Sequence, residues 1–121
     1  MKRDFAVIVD NKVENTVVVD KDTVEESLTF LNTYFKVENG TWKHIDRTLP
    51  QHRYSSVTNN YNSEGDYFYH DKPSDNWTYN MSKYRWEPNV AYPDGEWDDN
   101  NHDNNSYYWD EDTVSWIDKN S

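Results

Sequence analysis

Three aromatic pairs constrain the fold of this chain more than any other feature. In each pair an Asn or Asp follows the first aromatic residue, a polar segment comes next, and a second aromatic lies seven residues after the first. The pairs are Tyr61 with Phe68, Tyr79 with Trp86, and Trp109 with Trp116. Asn or Asp can start a turn by hydrogen-bonding the nearby backbone, and a loop of about four residues then closes a β-hairpin. The two rings of each pair are therefore expected to face each other across two strands.

Prolines punctuate the segments between these predicted hairpins. Pro73, Pro88 and Pro93 lie outside the predicted strands. A proline in such a link favours extended backbone and removes no hydrogen bond from a strand ladder. The predicted hairpins cover about residues 61–68, 77–86 and 107–117.

The N-terminal segment carries the signals of a further β-hairpin. A β-branched run at residues 5–9 is followed by the turn residues Asp10 and Asn11 and by a second run at 13–19. This pattern predicts two paired strands. Because the first run is apolar at every position, both faces of its strand are expected to be covered.

One amphipathic helix is predicted after this hairpin. Asp22 or Thr23 can cap it, and Glu25 or Glu26 completes a capping box. Asn39–Gly40 is expected to end it. The apolar residues with helical spacing, which are expected to lie on the hairpin, are Val24, Leu28, Leu31 and Phe35.

These signals predict an α+β fold that is mainly β, in three parts. Residues 1–45 form a small hairpin–helix unit, residues 46–60 a loop or arm, and residues 61–121 the aromatic hairpin repeats. Short hairpins bury little surface by themselves and are marginal in water. A partner is therefore expected to complete the core of the second half.

The composition narrows the classes of partner. The chain has 12 basic and 23 acidic residues, a formal net charge of −11, which repels nucleic acid and anionic membranes. It has no Cys, so disulfides and thiolate metal sites are excluded. No apolar run approaches the roughly 20 residues of a membrane span, and the one at the N-terminus is too short for a secretory signal. We expect synthesis in a cytoplasm and partners among neutral sugars, cations and basic protein surfaces.

Patterns for catalysis and metal binding are weak. The four histidines are scattered without the spacing of metal ligands, and no Gly-rich phosphate loop is present. No catalytic residue and no cofactor are therefore assigned. The acidic insert offers Asp98, Asp99 and Asp103 as hard oxygen ligands for calcium, although EF-hand spacing is missing. The alternative interpretation is a solvated acidic loop.

The second half of the chain also carries a family resemblance. Its aromatic and turn residues follow a fixed order, with a Pro link between the motifs: Tyr61–Asn62, Asp75–Asn76–Trp77, Trp86–Glu87–Pro88 and Trp109–Asp110–Glu111. With these motifs and its N-terminal hairpin, the chain resembles small virion structural (tail-fibre-like) proteins of marine tailed phages, of the type that infects cyanobacteria. The reduced Pro link before Trp77 and the acidic insert at 98–105 depart from the pattern.

The resemblance implies a non-enzymatic virion structural protein, assembled in the host cytoplasm, that docks on other virion subunits of the capsid, neck, tail or fibre. Self-association into a homo-oligomer stays open, and neither nucleic acid nor membrane is an expected partner. A carbohydrate-binding or receptor-binding module is the alternative, for which the least constrained rings are Trp42, Trp77, Trp97 and Tyr108. The candidate interaction anchors or hairpin staples are Tyr61, Phe68, Trp77, Tyr79, Trp86, Trp109 and Trp116.

Overall fold

The computed structural model describes residues 1–120, and it is mainly β with one α-helix, as the sequence predicts. The N-terminal elements are β1 (Lys2–Val9), β2 (Lys12–Asp20), α1 (Val24–Tyr34) and β3 (Thr41–Ile45). The strands of the three aromatic hairpins are β4 (Asn60–Asn62) and β5 (Tyr67–Tyr69), β6 (Trp77–Asn80) and β7 (Arg85–Pro88), and β8 (Tyr107–Asp110) and β9 (Ser115–Asp118). Short 3-10 helices lie at Pro50–His52 and His102–Asn104.

The chain packs into two compact units. Unit 1 comprises Met1–Asp71 and Met81–Arg85, and unit 2 comprises Lys72–Asn80 and the chain from Trp86 onward. The sequence predicts all three aromatic hairpins in one C-terminal region, residues 61–121. In the structure the first of them, β4–β5, joins the N-terminal sheet, so its rings belong to unit 1.

Unit 1 is built on a five-stranded antiparallel sheet in the order β3-β1-β2-β4-β5. On one face of β1, Phe5 and Val7 pack in the core that α1 covers. On the other face, Ala6 and Ile8 pack in a second core that contains Phe68. The prediction that both faces of this strand are covered is confirmed.

The β1–β2 hairpin closes through a two-residue turn. Val9 pairs with Lys12, and the intervening Asp10 and Asn11 have φ angles of 52° and 64°. Positive φ at both positions is the mark of a type I′ turn, which favours Asn and Asp. Farther along, the pairing register shifts by one residue, so Glu14 is an extra residue in β2. Such a bulge exchanges the faces on which the following side chains lie.

Helix α1 begins as predicted but ends earlier than predicted. The Thr23 hydroxyl caps it by accepting a hydrogen bond of 3.0 Å from the Glu26 amide. The expectation that Asn39–Gly40 ends the helix is wrong, because the last helical residue is Tyr34. Phe35 therefore falls at the C-cap, where its side chain is 56% exposed instead of completing the buried stripe.

All three predicted aromatic hairpins form, and each brings its two rings together. Tyr61 is directly opposite Phe68 and Trp109 directly opposite Trp116. The ring centroids lie 4.7 Å apart in the first pair, 5.3 Å in the pair Tyr79–Trp86 and 5.4 Å in the third. The turn mechanism is also present, because Asn62 Oδ1 accepts the Gly65 amide at 3.0 Å and Asp110 Oδ1 accepts the Asp112 amide at 3.1 Å. One proline departs from the expectation that it lies outside a strand, since Pro88 is the last residue of β7.

The last loop residue of every aromatic hairpin has a left-handed backbone. The φ angles are 52° at Asp66, 54° at Tyr84 and 51° at Val114. Asp tolerates this conformation, whereas a β-branched residue is strained in it. Val114 therefore stores local strain at the tip of the β8–β9 hairpin.

Replacing Val114 by Asn is expected to raise the free energy of unfolding by about 1 kcal/mol, because a left-handed L-residue costs roughly 1–2 kcal/mol and Asn tolerates the conformation. Chemical denaturation followed by Trp fluorescence measures the change. Val114→Ala is the matched control, since it removes the branched side chain without gaining the tolerance of Asn. Equal stability of the Asn variant and the wild-type protein would contradict the assignment of strain to this residue.

Candidate binding surface of the tryptophan cluster

Four tryptophans of unit 2 contact one another in a closed ring, here called the tryptophan cluster. Centroids lie 5.9 Å apart for Trp77–Trp97, 5.8 Å for Trp97–Trp116, 5.4 Å for Trp116–Trp109 and 6.2 Å for Trp109–Trp77. The rings meet at tilted or edge-on angles, which suit the charge distribution of aromatic rings better than direct stacking. β6 supplies Trp77, β8 and β9 supply the hairpin pair, and an irregular link supplies Trp97. The cluster thus ties hairpin strands to a link that has no strand of its own.

Glu111 binds two of these indoles through one carboxylate. It is the first residue of the β8–β9 loop, and its Oε2 accepts hydrogen bonds from Trp77 Nε1 at 3.0 Å and Trp109 Nε1 at 2.6 Å. Its Oε1 accepts from the Ser74 hydroxyl and, at 3.1 Å, from Asn76 Nδ2. Hydrogen bonds from Ser74, Trp109, Trp77 and Asn76, in that order, lower the pKa of Glu111 from 4.5 to about 2.

A third indole is held by the Pro-containing link between the hairpins. Trp116 Nε1 donates to the Val90 carbonyl at 2.8 Å. Tyr92 packs edge-on against Trp116 at 5.0 Å and against Tyr107 at 5.7 Å, and its hydroxyl accepts the Ser106 amide at 2.8 Å. The indole N–H groups of three cluster members are therefore satisfied within unit 2, so these rings are fixed in place.

No ring of the tryptophan cluster is fully buried. Each of the four indoles is of intermediate exposure. Within residues 1–120, every fully buried aromatic side chain belongs to unit 1, where Phe5 and Phe68 are 0% exposed, and the one buried apolar side chain of unit 2 is Pro88. Unit 2 therefore keeps part of its apolar core in contact with water.

The β8–β9 hairpin also presents an aromatic ring on its other face. Tyr108 lies opposite Ile117 and is 51% exposed. Neighbouring residues in a strand point to opposite faces, so this pair lies on the side away from Trp109 and Trp116. Unit 2 thus has two apolar surfaces, the half-covered cluster and the exposed Tyr108.

Comparison with known proteins finds no match for this chain among family models, curated proteins or solved structures. Within residues 1–120, no helix combines the length and the apolar character needed to cross a bilayer. A functional assignment therefore depends on the chemistry of the residues themselves.

The seven predicted anchor residues fall into separate groups. Tyr61 and Phe68 lie in the core of unit 1, at 8% and 0% exposure. The three tryptophans predicted at positions 77, 109 and 116 come together in the tryptophan cluster. Tyr79 and Trp86 form a hairpin pair in unit 2. Tyr79 and Trp86 are also in contact and partly exposed, but only the tryptophan group brings rings from two different hairpins together.

One of the rings predicted to be unconstrained is instead part of the core of unit 1. Trp42 is 8% exposed, and its Nε1 donates to the Phe35 carbonyl at 3.0 Å. The prediction of an exposed sugar-stacking platform at this position is wrong. Trp42 is buried because β3 pairs with β1, which brings Trp42 opposite Val7 in the core that the helix covers.

The sequence pattern does not predict the contacts that Glu111 and Tyr92 make in unit 2. A carboxylate in a polar loop has no periodic signal, and its partners Ser74 and Trp77 lie more than thirty positions earlier in the sequence. Tyr92 does carry a signal, because it is an aromatic residue in a short link between Pro88 and Pro93. An apolar ring in such a link indicates packing against a neighbouring element.

The calcium candidates do not form a metal site. Asp98 binds its own loop, because its Oδ1 accepts the amides of Asn100 and Asn101 at 2.9 and 3.0 Å and its Oδ2 accepts Asn104 Nδ2 at 2.8 Å. The hydrogen bond from Asn104, followed by those from the two backbone amides, lowers the pKa of Asp98. Across residues 1–120, no group of three or more acidic or histidine side chains converges as a metal ion requires. Asp98 therefore shapes the acidic insert and does not gather Asp99 and Asp103 around a cation.

A second polar network lies in unit 1, around the last loop residue of the β4–β5 hairpin. Asp66 Oδ1 accepts from the Tyr61 hydroxyl at 2.7 Å and from His52 Nε2 at 3.0 Å, and it pairs with Lys43 Nζ at 3.2 Å. Burial opposes ionisation of Asp66, but hydrogen bonds from Tyr61, His52 and Lys43 outweigh it and lower the pKa. Burial, together with the Asp66 carboxylate, raises the pKa of Tyr61.

This network resembles a catalytic His–Asp pair in composition but not in geometry. His52 is 2% exposed, and its Nδ1 accepts the Asp46 amide at 2.9 Å. Because Nδ1 accepts a hydrogen bond, the ring proton is on Nε2, and Nε2 donates the hydrogen bond to Asp66. Both ring nitrogens are thus engaged, so the imidazole has no free position for a substrate. Its structural effect is to hold the 46–52 loop against the β4–β5 hairpin.

Proposed function

We propose that the protein is a non-enzymatic virion structural protein that docks on another virion subunit through the open side of the tryptophan cluster. The observation that carries this proposal is that the aromatic core of unit 2 is fixed internally yet only half-buried. Rigid, partly exposed Trp and Tyr side chains are the residues that most often anchor protein interfaces. The sequence resemblance to virion proteins of marine tailed phages supports the virion as the setting.

The charge distribution indicates the chemistry of the partner. Lys72 and Lys119 are the only basic residues in the sequence of unit 2, which holds acidic residues throughout its links and loops. The excess of acidic over basic residues in unit 2 favours a basic partner surface with a pocket for aromatic rings, and like-charge repulsion disfavours acidic partners. The same negative charge favours solubility of the undocked protein.

Replacing Trp97 by Ala is expected to lower incorporation into particles at least tenfold, because it removes the ring that contacts both Trp77 and Trp116. The measurement is quantitative mass spectrometry of purified virions from infections that supply the variant. Asp112→Lys separates docking from folding, since Asp112 is an exposed loop residue. It is expected to reduce incorporation while leaving the Trp emission spectrum unchanged.

Glu38→Lys is the matched control for the charge reversal, because Glu38 is an exposed acid of unit 1. It is expected to leave incorporation at the wild-type level. If Trp97→Ala and Asp112→Lys were both incorporated at the wild-type level, unit 2 would not be the docking unit.

The exposed Tyr108 ring favours a second candidate function, the stacking of a neutral sugar. Titration of the protein with host cell-surface polysaccharide, followed by Trp and Tyr fluorescence, tests it. A saturable change that Tyr108→Ala abolishes would favour a glycan-binding module. No change with the polysaccharide would leave virion docking as the better explanation.

A further inference from the structure

A stretch of β2 in unit 1 has a free edge. β2 pairs with β1 along its whole length, from Asp20 opposite Lys2 to Lys12 opposite Val9. On its other side it meets β4 only at its beginning, where Lys12 pairs with Asn60. In the part of the chain that the structure describes, no strand pairs with the outer side of residues 14–20. Such an edge is a ready template for another strand.

The backbone groups that point outward from this edge can be assigned. The Thr16 amide donates to the side chain of its own neighbour, Asn15 Oδ1, at 2.8 Å, so it does not point toward β1. Successive residues of an antiparallel strand alternate in the side to which their N–H and C=O groups point. The amides of Val18 and Asp20 therefore also point outward. The Asn15 side chain therefore binds one of the backbone amides, that of Thr16, to which an added strand would otherwise bind.

An apolar groove of about 670 Å³ adjoins the same edge. β2 contributes Val17 and Val19 to its lining, α1 contributes Phe30, and the residue that follows the helix contributes Phe35. The exposed Phe35 ring marks the open side of the groove, at 56% exposure. A strand laid along β2 would place every second side chain in this groove, because its side chains alternate as those of β2 do.

The charges at the two ends of the edge indicate the occupant. Glu14 and Asp20 flank the apolar residues at 17–19, and Asp20 also contacts the Met1 amino group at 2.7 Å. Lys36 lies at the helix side of the groove. A second copy of this chain, paired antiparallel about Val17, would set Glu14 opposite Asp20 twice, between chains of net charge −11. Like charges directly opposite destabilise a strand pair, so self-pairing is disfavoured.

We infer that the outer edge of β2 and the groove under α1 bind an extended segment of another protein by strand addition. The segment has apolar side chains at alternate positions and Lys or Arg at each end, opposite Glu14 and Asp20. Main-chain hydrogen bonds to the outward groups of β2 provide affinity, and the groove selects the alternate side chains. This site lies entirely within unit 1 and is independent of the docking function proposed for unit 2.

A short synthetic peptide tests the inference with the full-length chain. The probe is fluorescein-labelled KVTVTVK, whose three valines would face the groove and whose lysines would face Glu14 and Asp20. Fluorescence anisotropy is expected to show saturable binding. Two matched peptides are expected to bind at least tenfold more weakly: EVTVTVE, which reverses the end charges, and KVTVTVK methylated on both Thr amides, which cannot complete the ladder.

Two protein variants complete the test. Val18→Pro removes an amide that points away from β1. A strand tolerates proline at such a position, so the variant is expected to keep the fold and lose binding. Glu14→Lys is expected to shift the preference toward EVTVTVE. Undiminished binding to a folded Val18→Pro variant, equal binding of the three peptides, or no binding of KVTVTVK would overturn the inference. A dimer of the free chain that Val18→Pro dissociates would assign the edge to a second copy instead and would also overturn it.

Discussion

Replacing Phe68 by Ala is expected to lower the free energy of unfolding of unit 1 by about 3–5 kcal/mol, the range for removing a buried aromatic ring from a core. Phe68 is 0% exposed and lies in the core that also contains Ala6 and Ile8. Its ring packs against Tyr61 at 4.7 Å and edge-on against His52 at 5.2 Å. A domain is typically stable by only 5–15 kcal/mol, so this one change removes a large part of the total.

Phe35→Ala is the matched control, because it deletes the same ring from an exposed position. The Phe35 ring is 56% exposed, so its removal is expected to lower stability by much less than removal of the fully buried Phe68 ring. Denaturant unfolding followed by far-ultraviolet circular dichroism measures both variants. A loss for Phe68→Ala no larger than that for Phe35→Ala would show that the β4–β5 hairpin is not part of the core of unit 1.

The sequence predicts the aromatic hairpins because their determinants are local. Asn62 and Asp110 start turns within three residues of themselves, and the ring pairs close loops of four residues. The same holds for the β1–β2 turn, where Asp10 and Asn11 adopt the left-handed backbone that their side chains tolerate. Elements of this kind are specified by a few neighbouring residues, so a single sequence is enough to find them.

The sequence does not predict which hairpin joins which core, because that choice depends on distant pairing. A single bridge, Lys12 with Asn60, connects β2 to β4 across 48 positions of the sequence, and Lys12 Nζ also binds Asn60 Oδ1 at 2.8 Å. The pattern Tyr61–Phe68 looks like the other two aromatic pairs, yet its rings complete the N-terminal core. Tertiary burial, not the motif, distinguishes this pair from those of unit 2.

The error at the end of α1 has a similar origin. Helical periodicity continues as far as Phe35, and Asn39 has the left-handed backbone of a helix stop, at φ 61°. In the structure Asn39 serves a separate turn that leads into β3. The Trp42 indole binds the Phe35 carbonyl, a carbonyl that a longer helix would use for its own ladder. A contact from the following strand therefore takes part in ending the helix.

Glu111 is the residue whose replacement is expected to have the largest effect on unit 2. Its carboxylate accepts hydrogen bonds from two indoles of the tryptophan cluster and from the link at Ser74 and Asn76. Glu111→Gln removes the charge and replaces one acceptor oxygen with a donor that would face existing donors. The tryptophan cluster is expected to loosen, with Trp emission shifted to longer wavelength at neutral pH.

Acid is expected to reproduce this change in the wild-type protein. The pKa of Glu111 is about 2 in the folded chain against an ordinary value of 4.5. A lowered folded-state pKa means that the ionised carboxylate stabilises the fold, so its contribution is complete above pH 4.5 and is lost as the pH falls toward 2. A fluorescence titration should therefore show the emission of the tryptophan cluster shifting in this window.

The Gln variant separates Glu111 from the other acids that titrate in the same range. It is expected to show the low-pH spectrum at pH 7 and to lose most of the acid transition. Asp98→Asn is the matched control, because Asp98 also has a lowered pKa in unit 2 but binds only its own loop among the described contacts. It is expected to keep the transition. If Glu111→Gln showed the same acid-induced fluorescence transition as the wild-type protein, the aromatic rings would hold unit 2 together without this carboxylate.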